Sequence, residues 1–265
     1  MTMVAALEVE GLKKSYGDVT VLRGVDFTLA QGEGVVLLGA NGCGKSTMLR
    51  CLNRLTPFES GSVRVHGTDV STVSGVKLKT VRRELGYVFQ QFNLVGNVSV
   101  FQNVLFGALG RPGGGLINSL SAFAPQAERD RAMHCLERVG LADKAPSRAS
   151  ALSGGQQQRV AIARMLMQRP TIVIADEPIA SLDPKAGREV LELLFRIVSE
   201  ERLTVLCTLH QLDLAREFGR RIIGMKAGRV VIDAPTDTIP MSELESLYRT
   251  DVATSAPSAV RQAAE

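Results

Sequence analysis

The sequence predicts an α/β fold in which buried strands alternate with amphipathic helices. Apolar, β-branched runs recur along the 265 residues, and helical patterns separate them. The longest apolar runs, such as residues 172–175, have the length of a strand and are far too short to span a membrane. With 45% hydrophobic and 22% charged residues, the composition is globular, which excludes disordered, collagen-like and disulfide-scaffold proteins.

Eight strands and five helices are predicted from the spacing of apolar residues and from the turn residues between them. The strands are Val19–Leu29, Val35–Leu38, Ser62–His66, Gly86–Phe89, Thr171–Ala175, Thr204–Thr208, Arg221–Met225 and Arg229–Ile232. The helices are Ser46–Leu55, Phe101–Leu109, Gln126–Val139, Gly154–Gln168 and Pro184–Glu201. In the last helix, apolar residues recur with the helical period and form one apolar face.

We expect one domain over residues 1–250, with a helical subdomain at about 91–165. Glycine and proline, which interrupt helices and strands, are frequent in residues 111–125, and this predicts an insertion with little regular structure. Residues 251–265 are small and polar, which predicts a flexible tail. The formal charge of +4 neither requires nor excludes an anionic partner, and we expect no nucleic acid. The four cysteines have no metal-binding spacing, which predicts reduced thiols.

A phosphate-binding loop is predicted between the strand 35–38 and the helix that follows it. Residues 39–46 match G-x-x-x-x-G-K-[ST], in which backbone N–H groups and the helix dipole attract phosphate oxygens. Lys45 would bridge the β- and γ-phosphates, and the Ser46 hydroxyl would bind Mg²⁺. The residues expected at the nucleotide are Gly39, Asn41, Gly42, Cys43, Gly44, Lys45, Ser46 and Thr47. The alternative is a glycine-rich turn with a chance lysine.

Two acids follow the apolar run 171–175, where a parallel strand delivers them to the edge of the sheet that binds ligands. Asp176 could hold Mg²⁺, and Glu177 could orient or deprotonate an attacking water. Two acids alone are also compatible with the start of a loop, but together with a phosphate loop they predict a hydrolytic site.

Two further motifs predict helix starts. Ser153 and Gln156 have the spacing of a capping box, and the N–H groups of Gly154 and Gly155 would also be available to a phosphate. Asp183 before Pro184 predicts an N-cap.

With Leu152-Ser153-Gly154-Gly155-Gln156 upstream of Asp176, the sequence resembles ATP-binding-cassette (ABC) ATPases over residues 7–249. The resemblance implies a P-loop NTPase fold of the ABC type, with a mixed-sheet core, an antiparallel β region and a helical subdomain. It also implies roles for individual residues. Tyr16 would stack on adenine, Gln90 would contact the metal and link the site to the transport partner, and His210 would sense the γ-phosphate. Ser153 to Gln156 would be the signature motif, and Asp183 would belong to the loop through which two subunits communicate.

Simpler interpretations remain open for these residues. Tyr16 could be an aromatic at a strand edge, Gln90 a solvated polar residue and His210 a buried structural histidine. Asp183 could act only as a helix cap.

The resemblance also implies partners. Two copies would form a head-to-tail homodimer, with ATP between Lys45 and Ser46 of one subunit and residues 153–156 of the other. The dimer would bind transmembrane permease subunits at the cytoplasmic face of the cell membrane, and through them it would serve an extracytoplasmic solute-binding protein.

Four segments resemble the ATPase of phosphonate importers more narrowly, a type shared with phosphite and hypophosphite importers. They are residues 89–95, 103–110, 175–184 and 208–211. An importer of another solute, such as a polar amino acid or a different oxyanion, and a non-transport ABC ATPase are the alternatives. Cys43 replaces the usual small residue of the loop. Because a helix N-terminus lowers the pKa of a thiol, we expect a reactive Cys43 whose alkylation blocks ATP binding.

Overall fold

The computed structural model describes residues 5–111, 115 and 119–249. Over this part of the chain the strands are β1 (Ala5–Tyr16), β2 (Val19–Ala30), β3 (Gly34–Leu38), β4 (Ser60–Val65), β5 (Thr68–Asp69), β6 (Leu85–Val88), β7 (Ile172–Ala175), β8 (Thr204–Thr208), β9 (Arg221–Lys226) and β10 (Arg229–Pro235). The helices are α1 (Lys45–Leu52), α2 (Gly75–Glu84), α3 (Val100–Leu105), α4 (Gln126–Arg138), α5 (Gly154–Met167), α6 (Pro184–Glu200), α7 (Leu212–Phe218) and α8 (Met241–Ser246). The predicted tail, 251–265, and part of the predicted insertion lie outside the described residues.

The strands form two sheets. The smaller sheet has the order β2-β1-β4-β5, and all its pairs are antiparallel. The larger sheet has the order β10-β9-β3-β8-β7-β6, and only β10 runs antiparallel to its neighbour. The predicted mixed-sheet core with an antiparallel β region is therefore confirmed.

The larger sheet is buried on both faces, as is usual for parallel strands. Successive residues of β7 contact different parts of the core. Val173 and Ala175 belong to a cluster with α3 to α6, whereas Ile172 and Ile174 belong to a cluster with α1 and the smaller sheet. The apolar face predicted for α6 is buried in the first of these clusters. The strands β3, β8 and β7 are neighbours that run parallel, so their carboxyl ends lie at one edge of the sheet, and those ends carry the candidate site.

Five elements are absent from the sequence-based assignment: β1, β5, α2, α7 and α8. In β1 the pairing with β2 shifts register four times, which breaks the alternation that marks a strand. In α2 the only buried residue is Val81, so the helix lacks an apolar face. The helices α7 and α8 are short, with seven and six residues.

The three helices between β6 and β7, namely α3, α4 and α5, pack together in the first cluster. None of the helices in the described part of the chain has both the length and the apolar character to cross a membrane.

Candidate active site

The predicted phosphate loop lies between β3 and α1 and depends on its glycines. A Cβ on Gly39 (φ +152°) would lie 2.4 Å from the carbonyl oxygen of Met225, and a Cβ on Gly44 (φ +109°) would lie 2.9 Å from Leu22 Cδ2. Both glycines therefore allow a backbone path and a close approach that a side chain would prevent. Asn41 and Gly42 are exposed at the tip of the loop, and Thr47 is half-buried on the first turn of α1.

Lys45 is buried inside this loop, with only 5% of its surface exposed. Its ammonium group donates hydrogen bonds to the carbonyl oxygens of Gly39, at 2.8 Å, and Ala40, at 3.3 Å. A buried ammonium needs acceptors, and phosphate oxygens are stronger acceptors than neutral carbonyls. The loop therefore holds a positive charge where an anion would bind.

Asp176 lies one residue after β7 and faces three hydroxyl groups. Its Oδ1 accepts from Thr208 Oγ1 at 3.2 Å and from Ser46 Oγ at 3.4 Å, and its Oδ2 accepts from Tyr87 Oη at 3.4 Å. Burial raises the pKa of Asp176, while these hydrogen bonds oppose the shift. The Ser46 hydroxyl and the Asp176 carboxylate are thus adjacent hard oxygen donors, the type that Mg²⁺ prefers.

Glu177 has an unusual backbone and a charged partner. Its φ is +48°, and its N–H donates to Thr208 Oγ1 at 2.6 Å. Its Oε1 lies 2.5 Å from Nε2 of His210, and the two side chains are 17% and 33% exposed. The hydrogen bond from His210 lowers the pKa of Glu177, so the group is a carboxylate. A non-glycine residue in the left-handed region is a strained conformation that is often found at functional sites.

The structure brings together five of the predicted residues at the carboxyl ends of β3, β7 and β8. They are Lys45, Ser46, Asp176, Glu177 and His210. His210 contacts the catalytic candidate rather than the apolar core, which argues against a purely structural histidine.

Two further predicted residues, Tyr16 and Gln90, lie on other segments of the chain. Tyr16 is half-buried at the end of β1, and Gln90 is exposed two residues after β6. No hydrogen bond between described residues joins either of them to the five.

The predicted caps are both present. Ser153 Oγ accepts from the N–H of Gln156 at 3.3 Å, and Gln156 Oε1 accepts from the N–H of Ser153 at 3.0 Å, which completes the capping box of α5. Asp183 Oδ1 accepts from the N–H of Ala186 at 3.0 Å and caps α6.

The two glycines of the capping box allow α5 to approach the loop and helix that follow β7. A Cβ on Gly154 would lie 3.1 Å from Leu182 Cδ2, and a Cβ on Gly155 would lie 3.3 Å from Ala186 Cβ. Residues 153–156 thus pack beside residues 182–186 of the same chain.

Sequence reasoning missed the residues that position this group. Thr208 hydrogen-bonds to Asp176 and to the backbone of Glu177, and its only sequence signal is its place at the end of a strand.

Two residues of α5 that sequence reasoning also missed hold the segment after β6. Gln158, fully buried on α5, donates from Nε2 to the carbonyl oxygen of Phe89 at 3.3 Å. Arg164 donates to the carbonyl oxygens of Phe92, at 3.0 Å, and Asn93, at 2.6 Å. The helix α5 therefore holds the segment that contains Gln90.

The prediction of a low pKa for Cys43 is wrong. Burial raises the pKa of the Cys43 thiol, and the nearby charge of Lys45 only partly opposes this shift. The side chain is 8% exposed, and its Sγ lies 2.7 Å from where a Cβ on Gly39 would be. The sulfur is turned inward, so desolvation exceeds the effect of the helix N-terminus. All four cysteines are free, as predicted.

The phosphate loop and the two acids after β7 lie in a segment that matches a known family. A family model described as ABC transporter matches residues 22–180, which is more than half of the chain. The chain belongs to the ABC transporter family. This ABC protein is 50% identical to a phosphonates import ATP-binding protein PhnC of Nocardia farcinica, over 95% of this chain and 93% of that protein.

Two further comparisons bear on the solute and on assembly. The ABC protein is 50% identical to a phosphate-import ATP-binding protein PhnC of Mycolicibacterium smegmatis, over 89% of each chain. Among solved structures, it is similar to the ATP-binding cassette MJ0796, a dimer in a post-hydrolysis state bound to ADP and Pi. That similarity has a TM-score of 0.75 at 33% identity and covers 87% of this chain and 98% of the other.

Proposed function

We propose that this chain is the ATP-hydrolysing subunit of a membrane ABC importer for a phosphonate or a related phosphorus oxyanion. The observation that carries the proposal is the contact between Glu177 and His210, 2.5 Å apart beside a phosphate loop. A carboxylate that can handle a water and a histidine that can respond to a terminal phosphate are the groups that hydrolysis of ATP requires. The solute class is supported by the names of the relatives.

Binding of ATP follows from the loop. The N–H groups of residues 39–47 and the ammonium of Lys45 bind the phosphates, and Lys45 exchanges its bonds to Gly39 and Ala40 for bonds to phosphate oxygens. Tyr16 stacks on the adenine. The exchange keeps a buried charge paired at every stage.

The site also fits a magnesium ion. Ser46 and Asp176 are the residues that would hold it, since their oxygens are 3.4 Å apart and both are hard donors. Within the described residues, no three His, Cys, Asp or Glu side chains are arranged so that they could hold a metal ion by themselves, so the phosphates and waters would supply the remaining ligands. Bound Mg²⁺ would neutralise charge on the β- and γ-phosphates. Gln90 would approach it from the segment that α5 holds.

In hydrolysis, Glu177 orients the attacking water and accepts its proton. The low pKa of Glu177 keeps the carboxylate ionised before the water arrives. His210 donates to the γ-phosphate when the nucleotide is bound, and it then no longer holds Glu177 in its resting position. Thr208 keeps the Glu177 backbone fixed throughout this exchange.

A single phosphate loop leaves the γ-phosphate open to water on one side, whereas phosphoryl transfer depends on positioning and electrostatics. We infer that a second copy covers this side in a head-to-tail dimer. The capped start of α5, residues 153–156, contacts the γ-phosphate held by the partner subunit, and Asp183 lies at the interface. The dimer of the similar cassette bound to ADP and Pi supports this arrangement.

We further propose that the pair of subunits binds transmembrane permease subunits at the cytoplasmic face of the cell membrane. Residues 1–250 form the nucleotide-binding domain, and the helical subdomain at about 91–165 faces the permease. Because Gln158 and Arg164 fix residues 89–93 to α5, a change at Gln90 would move the helical region with it. An extracytoplasmic solute-binding protein supplies the solute.

Phosphate is the second candidate solute, because a relative of equal identity is named a phosphate importer. The two are distinguished by growth of a strain that lacks this gene on phosphonate, phosphite, hypophosphite or phosphate as sole phosphorus source. Complementation by the wild-type gene, but not by Glu177→Gln, shows that hydrolysis is required. Growth loss on the reduced or organic sources alone supports the proposal, whereas loss on phosphate alone favours the second candidate. Unchanged growth on all four contradicts both.

A further inference from the structure

The residue that would stack on adenine carries a cation on its ring. The Lys14 Nζ lies 4.9 Å from the centroid of the Tyr16 ring. Both residues belong to β1 and are separated by one position. An ammonium over the face of a phenol ring is attracted by the negative potential of that face. The contact therefore restrains the ring of Tyr16 before any nucleotide binds.

Lys14 is itself held in place by Glu59. The ammonium lies 3.2 Å from Glu59 Oε1, and the N–H of Ser15 donates to the same oxygen at 2.9 Å. The N–H of Glu59 in turn donates to the carbonyl oxygen of Lys13 at 3.0 Å. One carboxylate thus ties down the two residues that directly precede Tyr16.

The side chain of Lys14 is shielded from solvent although it follows an exposed lysine. Only 12% of its side chain is exposed, whereas the neighbouring Lys13 is exposed. The pair of Lys14 and Glu59 also lies close to α1: burial raises the pKa of Cys51 on that helix to about 11, and the charges of Lys14 and Glu59 act on it with opposite signs. The cation is therefore held between the Glu59 carboxylate and the Tyr16 ring, largely shielded from solvent.

A ring has two faces, and an ammonium on one of them leaves the other for a base. We propose that Lys14, oriented by Glu59, is a positioning residue for the adenine platform: it fixes the ring of Tyr16 and strengthens stacking of the nucleotide base on the opposite face. The inference rests on the proposed function, since it requires ATP at the loop. It concerns affinity for the base and leaves the phosphate contacts of Lys45 unchanged.

The test separates the base from the phosphates. Dissociation constants for ATP and for inorganic tripolyphosphate, which has no base, are measured by calorimetry in EDTA, where hydrolysis does not occur. The proteins are the wild type, Lys14→Met, Lys14→Arg and the matched control Lys13→Met, which removes the same charge one residue away. Thermal unfolding of each variant checks that it is folded, and Glu59→Gln provides a second way of releasing Lys14.

We expect Lys14→Met to weaken ATP binding by about threefold to tenfold and to leave tripolyphosphate binding unchanged. Lys14→Arg should retain ATP affinity, Lys13→Met should match the wild type, and Glu59→Gln should weaken ATP binding to a smaller extent. An equal loss for both ligands, or tighter ATP binding by Lys14→Met, would overturn the inference. If the wild type binds neither ligand, the proposed function itself fails.

Discussion

The carboxylate of Glu177 and the imidazole of His210 are joined by a contact of 2.5 Å between Oε1 and Nε2. The two residues follow neighbouring parallel strands, β7 and β8, whose register pairs Ala175 with Cys207. The strand pairing therefore brings a carboxylate and a histidine together although they are 33 residues apart in sequence.

Replacement of His210 by alanine should lower ATP turnover by about a hundredfold, because a donor to the γ-phosphate in the transition state is lost. The affinity for ATP should stay close to that of the wild type, since Lys45 and the loop are intact. Steady-state ATPase assays and equilibrium binding of ATP measure the two quantities separately. Unchanged turnover would show that His210 is only structural.

Replacement of Lys45 by alanine should weaken both ATP binding and turnover. The lost contact is a hydrogen bond from a charged donor, which contributes about 1.5–3 kcal/mol and corresponds to a loss in affinity of about tenfold to a hundredfold. Calorimetric titration with ATP is the measurement. If the variant bound ATP as tightly as the wild type, then Lys45 of the wild type would contribute nothing to ATP binding. Its ammonium would keep its bonds to the loop carbonyls when the nucleotide binds.

Replacement of Arg164 by methionine should release the segment after Gln90 from α5. The part-buried carbonyl oxygen of Phe92 and the exposed one of Asn93 both lose a charged donor. We therefore expect a loss of about 2 kcal/mol in the free energy of unfolding, mainly from the Phe92 bond, and weaker stimulation of ATPase activity by the permease. The matched control is Arg159→Met on the same helix, which removes an exposed pair with Glu189 and should cost at most about 1 kcal/mol. Urea denaturation and ATPase assays with and without permease test the difference. Equal effects of the two changes would contradict the role given to Arg164.

Alkylation of Cys43 should be slow at neutral pH and should become faster as the pH rises, because its thiol is buried. Because burial raises the pKa of its thiol, the reactive thiolate forms only above the ordinary range for cysteine, and labelling at neutral pH should be slower than in the unfolded chain. Iodoacetamide labelling at several pH values, followed by mass spectrometry of the peptide that contains Cys43, gives the rates. Protein in urea is the control. Fast labelling of the native protein at neutral pH would support the low thiol pKa that the sequence suggested. Once attached, the label should block ATP binding, because Sγ of Cys43 packs against Gly39 of the phosphate loop.

The sequence predicts those parts of the site that are formed by residues close together in the chain. The loop 39–46 and the acids after β7 are recognisable because spacing, strand and helix are contiguous, and the same holds for the amphipathic α6. The capping box of α5 and the N-cap of Asp183 were predicted for the same reason.

Other features depend on contacts between distant segments. Gln158 meets Phe89 across 69 residues, and nothing in either segment specifies the partner. The bulges in β1 disturb its alternation, so its strand was not predicted. For Cys43, the position at a helix start suggests a lowered thiol pKa. In the structure the sulfur faces inward against Gly39, and burial raises the pKa instead. Burial is a property of the folded chain that the motif alone does not contain.

The central claim is that two copies of the chain enclose each ATP, and Glu177→Gln tests it most directly. Without the carboxylate that handles water, this variant should bind ATP and remain in the closed state. Light scattering after size exclusion with saturating Mg-ATP should give twice the 28.5 kDa of one chain, and the double variant with Lys45→Ala should give the mass of one chain. A mass of one chain for Glu177→Gln, with bound ATP verified in the same sample, would contradict the shared site.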